Sequence, residues 1–307
     1  MDSPLSEAEV QPNAGRRRPL SRREFLSRGV KVGLLGGAGL TLYSGEIERH
    51  WIEVTDIDIA VRGLPEALEG VRIAQLSDIH MDEFTEETFL RRAVEKINAL
   101  KPDMVALTGD FVTLAPMGPK FAIGAAWQCA DVLKKIKCRH RYAVMGNHDD
   151  LVGKDEVTES LTANGIPVLD NAGLLVEGLG AQSGRLWLAG VDDPLTGRPR
   201  PDDAMAGRSA GDPVVMMCHG PDYADDVVDG LPPGSVDLML SGHTHGGQVR
   251  LPMLTRVMLP EMGRKYVEGL FRMGTMQLYV NRGIGTVGVP FRFACPPEIS
   301  VITLRRA

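Results

Sequence analysis

The feature that most constrains this chain is a repeated pairing in which a short apolar run ends in a cluster of metal-ligating or acid–base side chains. Val71–Leu76 is followed by Asp78-Ile79-His80, Met104–Leu107 by Thr108-Gly109-Asp110, and Tyr142–Met145 by Gly146-Asn147-His148-Asp149. Further along, Val214–Met217 leads to His219, and Val236–Leu240 leads to Gly242-His243-Thr244-His245-Gly246. Five of the seven histidines fall inside these clusters. The other two, His50 and His140, read as solvent-exposed polar residues. Short apolar runs closed by such turns predict strands. In open α/β sheets ligands bind at the carboxyl ends of strands, so the five strand ends are expected to converge on one pocket. The two-residue spacing within Asp78/His80 and His243/His245 predicts paired side chains on the same side of an extended chain.

Between these runs the pattern turns helical. Phe89, Ala93, Ile97 and Leu100 share one face of a predicted helix over 85–100, and a second is predicted over 121–136. Strand-like spacing begins at Trp51 with Ile52, Val54, Ile57, Ile59 and Val61, and further strands are predicted at Leu186–Ala189, Gln277–Val280 and Ile299–Leu304. Alternating β and α elements argue for a layered α/β fold. The chain has 307 residues, 43% of them apolar, enough for a substantial core. No internal repeat or low-complexity linker follows residue 50, so residues 46–307 are read as one domain. A net charge of −6 supplies no basic field, and sequence-specific nucleic-acid binding is not expected. Cys129, Cys138, Cys218 and Cys295 are scattered without a C-x-x-C pair, which excludes a thioredoxin-type motif and a thiolate zinc site.

Residues 1–45 read as a targeting segment. Arg16-Arg17-Arg18 followed by Ser21-Arg22-Arg23-Glu24-Phe25-Leu26 resembles the twin-arginine export signal at every fixed position, and a modest, Gly-rich apolar run from Val30 to Leu42 follows. That run is weaker than the ~20 apolar residues of a membrane span. The resemblance implies passage through the Tat translocase and a periplasmic or extracytoplasmic location, with residues 1–45 either a cleaved signal peptide or a retained membrane anchor. Gly36-Gly37-Ala38-Gly39 does not satisfy G-x-G-x-x-G and follows no strand, which removes a dinucleotide-binding reading.

Taken in order, D-x-H, G-D, G-N-H-D, H and G-H-T-H resemble the signature of the calcineurin-like metallophosphoesterase superfamily. The downstream pieces Gly246-Gly247-Gln248, Tyr279–Gly285 and Pro297-Glu298-Ile299 are similar to its bacterial exported subgroup, which contains Tat-dependent phosphoesterases and relatives that hydrolyse UDP-2,3-diacylglucosamine. The resemblance implies a four-layer αββα sandwich with two mixed sheets and a centre of two divalent metal ions. Asp78, His80 and His245 would hold one ion, and Asn147, His219 and His243 the other. Asp110 would bridge them, with the ions ~3.5–4 Å apart as in other two-metal hydrolases. Imidazole, carboxylate and amide ligands suit Mn, Fe or Zn and do not select among them.

The expected chemistry is hydrolysis of a phosphate ester by hydroxide shared between the two ions. His148 is expected to act catalytically on the phosphoryl or leaving oxygen, with Asp149 orienting its imidazole. A phosphodiester is the preferred substrate class, lipid-linked or envelope-derived if the targeting segment is retained. The alternatives are a UDP-2,3-diacylglucosamine-type pyrophosphate hydrolase and a non-catalytic binding module on the same fold, which would be expected to have lost His148 or a ligand. Arg282 is read either as a phosphate contact or as a residue packed on its own turn. Leu251–Met262 is read as core packing ahead of an apolar lip.

Overall fold

The computed structural model describes residues 21–82, 85–113, 118–251 and 255–307. Arg16-Arg17-Arg18 lie outside them, as do residues 252–254 of the Leu251–Met262 stretch. The chain forms two compact units, Met1–Leu42 and Tyr43–Ala307.

In the first unit, helix α1 (Arg22–Leu42) carries the twin-arginine pair in its first turn. Ser21 and Glu24 start it reciprocally: Ser21 Oγ accepts the Glu24 N–H at 3.2 Å and the Glu24 carboxylate accepts the Ser21 N–H at 2.8 Å. Phe25, Leu26, Leu34 and Leu35 are exposed on it. Among the described residues no helix is long and apolar enough to cross a membrane.

The second unit contains two mixed sheets. The first is built from β1 (Glu53–Val61), β2 (Arg72–Leu76), β3 (Met104–Leu107) and β4 (His140–Ala143). The second contains β5 (Ala172–Leu179), β6 (Gly184–Gly190), β7 (Val214–Met217), β8 (Leu238–Ser241), β9 (Gly269–Met273) and β10 (Met276–Val280). The last strand, β11 (Glu298–Arg306), returns to the first sheet, whose order is β1-β11-β2-β3-β4; the second runs β5-β6-β7-β8-β10-β9. Strands β2, β3 and β4 are mutually parallel, as are β6, β7, β8 and β10. The parallel strands therefore present their carboxyl ends together, as their sequence spacing predicted.

Strand alternation distributes each apolar run between two layers. Ile73, Met104 and Ala106 point between the sheets and meet Val215, Met217, Leu238 and Leu240. Their neighbours Ala74, Leu76, Val105 and Leu107 point outward onto α2 (Glu87–Leu100), α3 (Pro119–Leu133) and α4 (Asn147–Ala163). On the far side, Val214, Met216 and Met239 pack against Ala224 and Val227 of α6 (Ala224–Gly230), near the short α5 (Pro201–Ala204). The result is an αββα sandwich. Both faces of the central strands are covered, so the strands read as continuous apolar runs. Complete burial of Ile73 alone contributes about 1.5–3 kcal/mol.

Gln75 is one of several buried polar residues that join the two sheets, beside Ser300 with Asn281 and Glu298 with Tyr279. The Gln75 amide donates to Thr108 Oγ1 at 3.0 Å and to the Ser241 carbonyl at 2.9 Å, joining the two sheets beside their ligand-bearing edge.

Four elements depart from the sequence reading. The third central strand occupies His140–Ala143 rather than 142–145, and Val144 instead begins the turn into the ligand cluster, its N–H bonded to the Leu107 carbonyl. Helix α4 starts inside G-N-H-D itself; Gly153, at φ 145°, breaks its regularity and with it any clear 3.6-residue signal. Edge strands β5 and β9 are half-exposed and lack a clean apolar alternation.

Candidate metal centre

Most of the ligand candidates are not on extended chain. Asp78 and His80 have φ of 50° and 48°, Asp110 56°, His243 73° and His245 51°, so five of the eleven described non-glycine residues with positive φ are predicted ligands. The side chains converge because the strand ends curl into the left-handed region, not by strand alternation as the two-residue spacing implied. Such conformations cost about 1–3 kcal/mol each and are tolerated best by Asp, Asn and His. Backbone bonds hold them: His80 N–H donates to the Asp110 carbonyl at 3.0 Å and Gly285 N–H to the Asp78 carbonyl at 2.7 Å. The His243 N–H donates to the Asp78 carboxylate at 2.9 Å.

The candidates gather into overlapping groups. The ligand atoms of Asp78, His80 and His245 lie within 4.8 Å of one another, as do those of Asp110, His219 and His243, and those of His80, Asp110 and His148. Asp110 Oδ2 is 3.1 Å from His219 Nε2 and 3.4 Å from His80 Nε2, which places it between the first two groups. Asn147 and His148 line a cavity of about 170 Å³ together with Asp110, His243 and His245. The first two groups each mix the sheets, since Asp78, His80, Asp110 and Asn147 leave the first and His219, His243 and His245 the second, whereas His80, Asp110 and His148 all come from the first.

Neighbouring groups set the histidine tautomers. A carbonyl can only accept, so His219 donates Nδ1–H to the Thr108 carbonyl at 2.7 Å, and His243 donates Nε2–H to the Glu261 carbonyl at 2.7 Å. The opposite nitrogen of each ring is thereby freed for a ligand. His80 Nδ1 is 2.7 Å from Thr113 Oγ1, and its Nε2 meets His245 Nε2 at 3.0 Å. Burial keeps His80 neutral by lowering its pKa to about 3. Burial, reinforced by His80, also holds His245 far below the usual imidazole range.

His219 behaves oppositely: burial works against its charge, but the Asp110 and Asp78 carboxylates override that and raise its pKa. Asp110 is correspondingly depressed; burial acts to raise it and is outweighed by His219, His148 and His80. Against a carboxylate 3.1 Å away, His219 Nε2 requires a cation, either a proton or a metal ion. Among the described residues the buried His219 Nε2 and Asn147 Oδ1 have no hydrogen-bond partner. Unsatisfied lone pairs of this kind beside two carboxylates are what a divalent cation requires.

Close backbone approach completes the site. A Cβ at Gly146 would fall 2.2 Å from Asp110 Oδ1, and one at Gly242 would fall 1.9 Å from Ser77 Oγ and 2.3 Å from Asp78 Oδ2. Asp149 does not orient His148. Its carboxylate accepts the N–H groups of Asp110, Phe111, Val112 and Gly146 at 2.8–3.2 Å, fixing the Asp110 turn to the start of α4. His148 instead donates its backbone N–H to Asp110 Oδ1 at 2.9 Å and sets its ring edge-on to His80, with centroids 4.8 Å apart. Its buried Nδ1 has no hydrogen-bond partner.

Arg282 pairs with Glu298 at 3.1 Å and Glu53 at 2.7 Å, which accounts for its charge within the fold. Of Leu251–Met262, read as core packing, Leu259 is buried, Leu251 is exposed and Pro260 lines the cavity. Neither isolated histidine is fully exposed: half-buried His50 packs edge-on to Phe89, and half-buried His140 begins β4. Sequence reading missed Thr113, the Glu261 carbonyl and Arg292, because none stands within a recognisable spacing of the residue it supports.

The model of the calcineurin-like phosphoesterase family matches residues 71–247 of this chain. The chain is 32% identical over 291 residues to the uncharacterized metallophosphoesterase YkuE of Bacillus subtilis, covering 93% of this chain and 98% of that protein. It is 30% identical to phosphodiesterase YaeI of Escherichia coli, over 93% of this chain and 99% of that one. The UDP-2,3-diacylglucosamine pyrophosphatase LpxG of Chlamydia trachomatis is 27% identical, over 91% of this chain and 98% of that one.

Proposed function

This chain belongs to the calcineurin-like phosphoesterase family and is a metal-dependent phosphoric ester hydrolase, and on that premise we propose that it is a phosphodiesterase acting outside the cytoplasm. The observation that carries the reading is the pair of ligand groups, Asp78–His80–His245 and Asp110–His219–His243, meeting at Asp110. In this proposal Asp78, His80 and His245 hold one divalent ion, Asn147, His219 and His243 hold the other, and Asp110 serves both. Divalent ions bound there supply Lewis acidity and a water deprotonated near neutral pH.

The residues around them do the rest. The Thr108 and Glu261 carbonyls hold His219 and His243 as single tautomers with a lone pair facing inward. Asp149 fixes Asp110 through three successive backbone N–H groups. His148 lines the cavity without belonging to either ligand set, and its imidazole is assigned to the phosphoryl or leaving oxygen as a hydrogen-bond donor or proton source.

The similarity to phosphodiesterase YaeI supports the diester preference. The similarity to a UDP-2,3-diacylglucosamine pyrophosphatase supports pyrophosphate hydrolysis as a second reading. Export through the Tat translocase rests on the Ser21–Leu26 match, and Mn²⁺ serves as the test ion among the three that suit the ligand set.

Metal analysis of the full chain beside hydrolysis of bis-p-nitrophenyl phosphate and p-nitrophenyl phosphate tests the proposal. Two ions, chelator-sensitive turnover restored by Mn²⁺ and faster diester cleavage are expected. Faster cleavage of a nucleoside-diphosphate sugar would favour the second reading, and a metal-free active protein would overturn both. Replacement of Arg22 and Arg23 by Lys is expected to hold the protein in the cytoplasm; unchanged fractionation would remove the export reading.

A further inference from the structure

Arg292 is fully buried, and among the described residues no carboxylate lies within ion-pairing distance of it. Its guanidinium hydrogen-bonds to carbonyls instead: Nε and one terminal nitrogen reach Gly285 at 3.0 and 2.7 Å, that nitrogen also reaches Arg282 at 3.0 Å and Gly283 at 3.1 Å, and the other reaches Cys295 at 3.1 Å. A buried cation satisfied only by backbone stabilises little by charge; it fixes the loop it touches.

That loop backs one half of the metal site. The Ile284 and Gly285 N–H groups donate to the Ser77 and Asp78 carbonyls at 3.1 and 2.7 Å. A Cβ at Gly283 would fall 2.5 Å from Asp78 Cβ, so loop and ligand are in direct contact. On the other side, buried Cys295 Sγ donates to the His245 carbonyl at 3.1 Å. Two of the three residues in the Asp78–His80–His245 group therefore lean on the 282–295 segment. His219 and His243 have their rings held elsewhere, by Thr108 and Glu261.

The segment is in turn fastened by residues near the start of the second unit. The Arg292 N–H donates to the Ser44 carbonyl at 3.1 Å, and the Cys295 N–H donates to the Glu48 carboxylate at 2.6 Å. Glu48 is 3% exposed despite its charge. A Cβ at Gly45 would fall 3.0 Å from the Phe291 ring, so this contact is close along its length.

We infer that Ser44–Glu48 and Arg292 form one positioning device for the Asp78–His80–His245 half of the metal centre, so that the residues spanning the end of the targeting segment are a working part of the site. A consequence is that any processing which leaves the site intact must cut before Ser44. The inference rests on the two-ion assignment proposed above, and the test keeps the two apart.

Metal-free full-length protein is titrated with Mn²⁺ and followed by calorimetry and electron paramagnetic resonance, comparing the unmodified chain with Glu48→Gln, Arg292→Lys and Arg292→Met. Two ions in the unmodified chain are required by the two-ion assignment; fewer would sink that assignment. Given two, the variants are expected to weaken one ion about 10–100-fold while the other stays within about twofold, as for loss of a group that orients a ligand. The spin-coupled pair signal then gives way to an isolated Mn²⁺ signal. Arg292→Lys is expected to be milder than Arg292→Met, because an ammonium still donates to part of the set of carbonyls whereas a thioether donates to none. Equal weakening of both ions, or two ions bound as tightly as before, would overturn the device. Glu48→Gln keeps the test informative if the Arg292 variants do not fold: the amide keeps the side chain's volume but exchanges a charged acceptor for a neutral one at the Cys295 N–H, so weakening of the same ion at the low end of that range is expected.

Discussion

The two sheets contribute unequally to the metal centre. The first supplies all the oxygen ligands, Asp78, Asp110 and the Asn147 amide, on turns pinned by Asp149 and by loop 283–285. Apart from His80, the first-sheet ligand candidates are these oxygen donors, whereas the second sheet contributes only imidazoles, His219, His243 and His245. The negative side is therefore held by many backbone bonds, while His219 and His243 are each tuned by a single carbonyl partner that selects a tautomer and His245 meets the His80 ring. Buried carboxylates at close range repel one another and need positional restraint as well as a cation, whereas burial holds the imidazoles of His243 and His245 neutral and leaves only the correct nitrogen to be turned inward; His219, beside both carboxylates, is the exception.

The largest expected effect comes from removing the shared oxygen ligand. Asp110→Ala should lose both ions and reduce turnover to the level of chelated protein, as measured by elemental analysis beside diester hydrolysis. Retention of one tightly bound ion would show that the halves are independent and break the comparison. His148→Ala should lower kcat by about 10²–10⁴-fold, the usual worth of a positioned acid or base, with both ions retained. Loss of metal in proportion to turnover would move His148 into the ligand set.

A methyl group at the contact between the sheets sharpens the comparison further. Gly242→Ala puts a Cβ against Ser77 Oγ and Asp78 Oδ2. It is expected to weaken the ion near Asp78 by about 10–100-fold while the protein stays folded, the range for displacing a group that orients a ligand. Metal titration with circular dichroism as a folding control checks it, and unchanged affinity would mean that the turn moves freely. The smallest effect is expected at Gln75. Gln75→Met removes the donor shared by Thr108 Oγ1 and the Ser241 carbonyl, and should cost about 1–3 kcal/mol in urea unfolding with metal content nearly intact. A null result would show that the remaining contacts, apolar packing with the Tyr279–Glu298 and Asn281–Ser300 bonds, hold the sheets in register without it.

Much of this protein was fixed by residue order. The apolar runs at Val71–Leu76, Met104–Leu107, Val214–Met217 and Val236–Leu240 became buried central strands, because a strand covered on both faces must be apolar almost throughout. Asp78, His80, Asp110, Asn147, His148, His219, His243 and His245 were legible as one site, since the carboxyl ends of parallel strands share an edge.

Tertiary structure decided how they meet. The two-residue spacing predicted an extended chain, and the fold substituted left-handed turns, a choice set by bonds from residues such as Gly285 more than 200 positions away from Asp78. Asp149 looked like a partner for its neighbour His148 and instead serves the Asp110 turn 39 residues earlier. Arg292 and Glu48 carried no signal, because a side chain that acts through distant carbonyls and N–H groups leaves no spacing to read. Which residues ligate follows from chemistry written along the chain; what holds them in place depends on contacts that exist only once the sheets have closed.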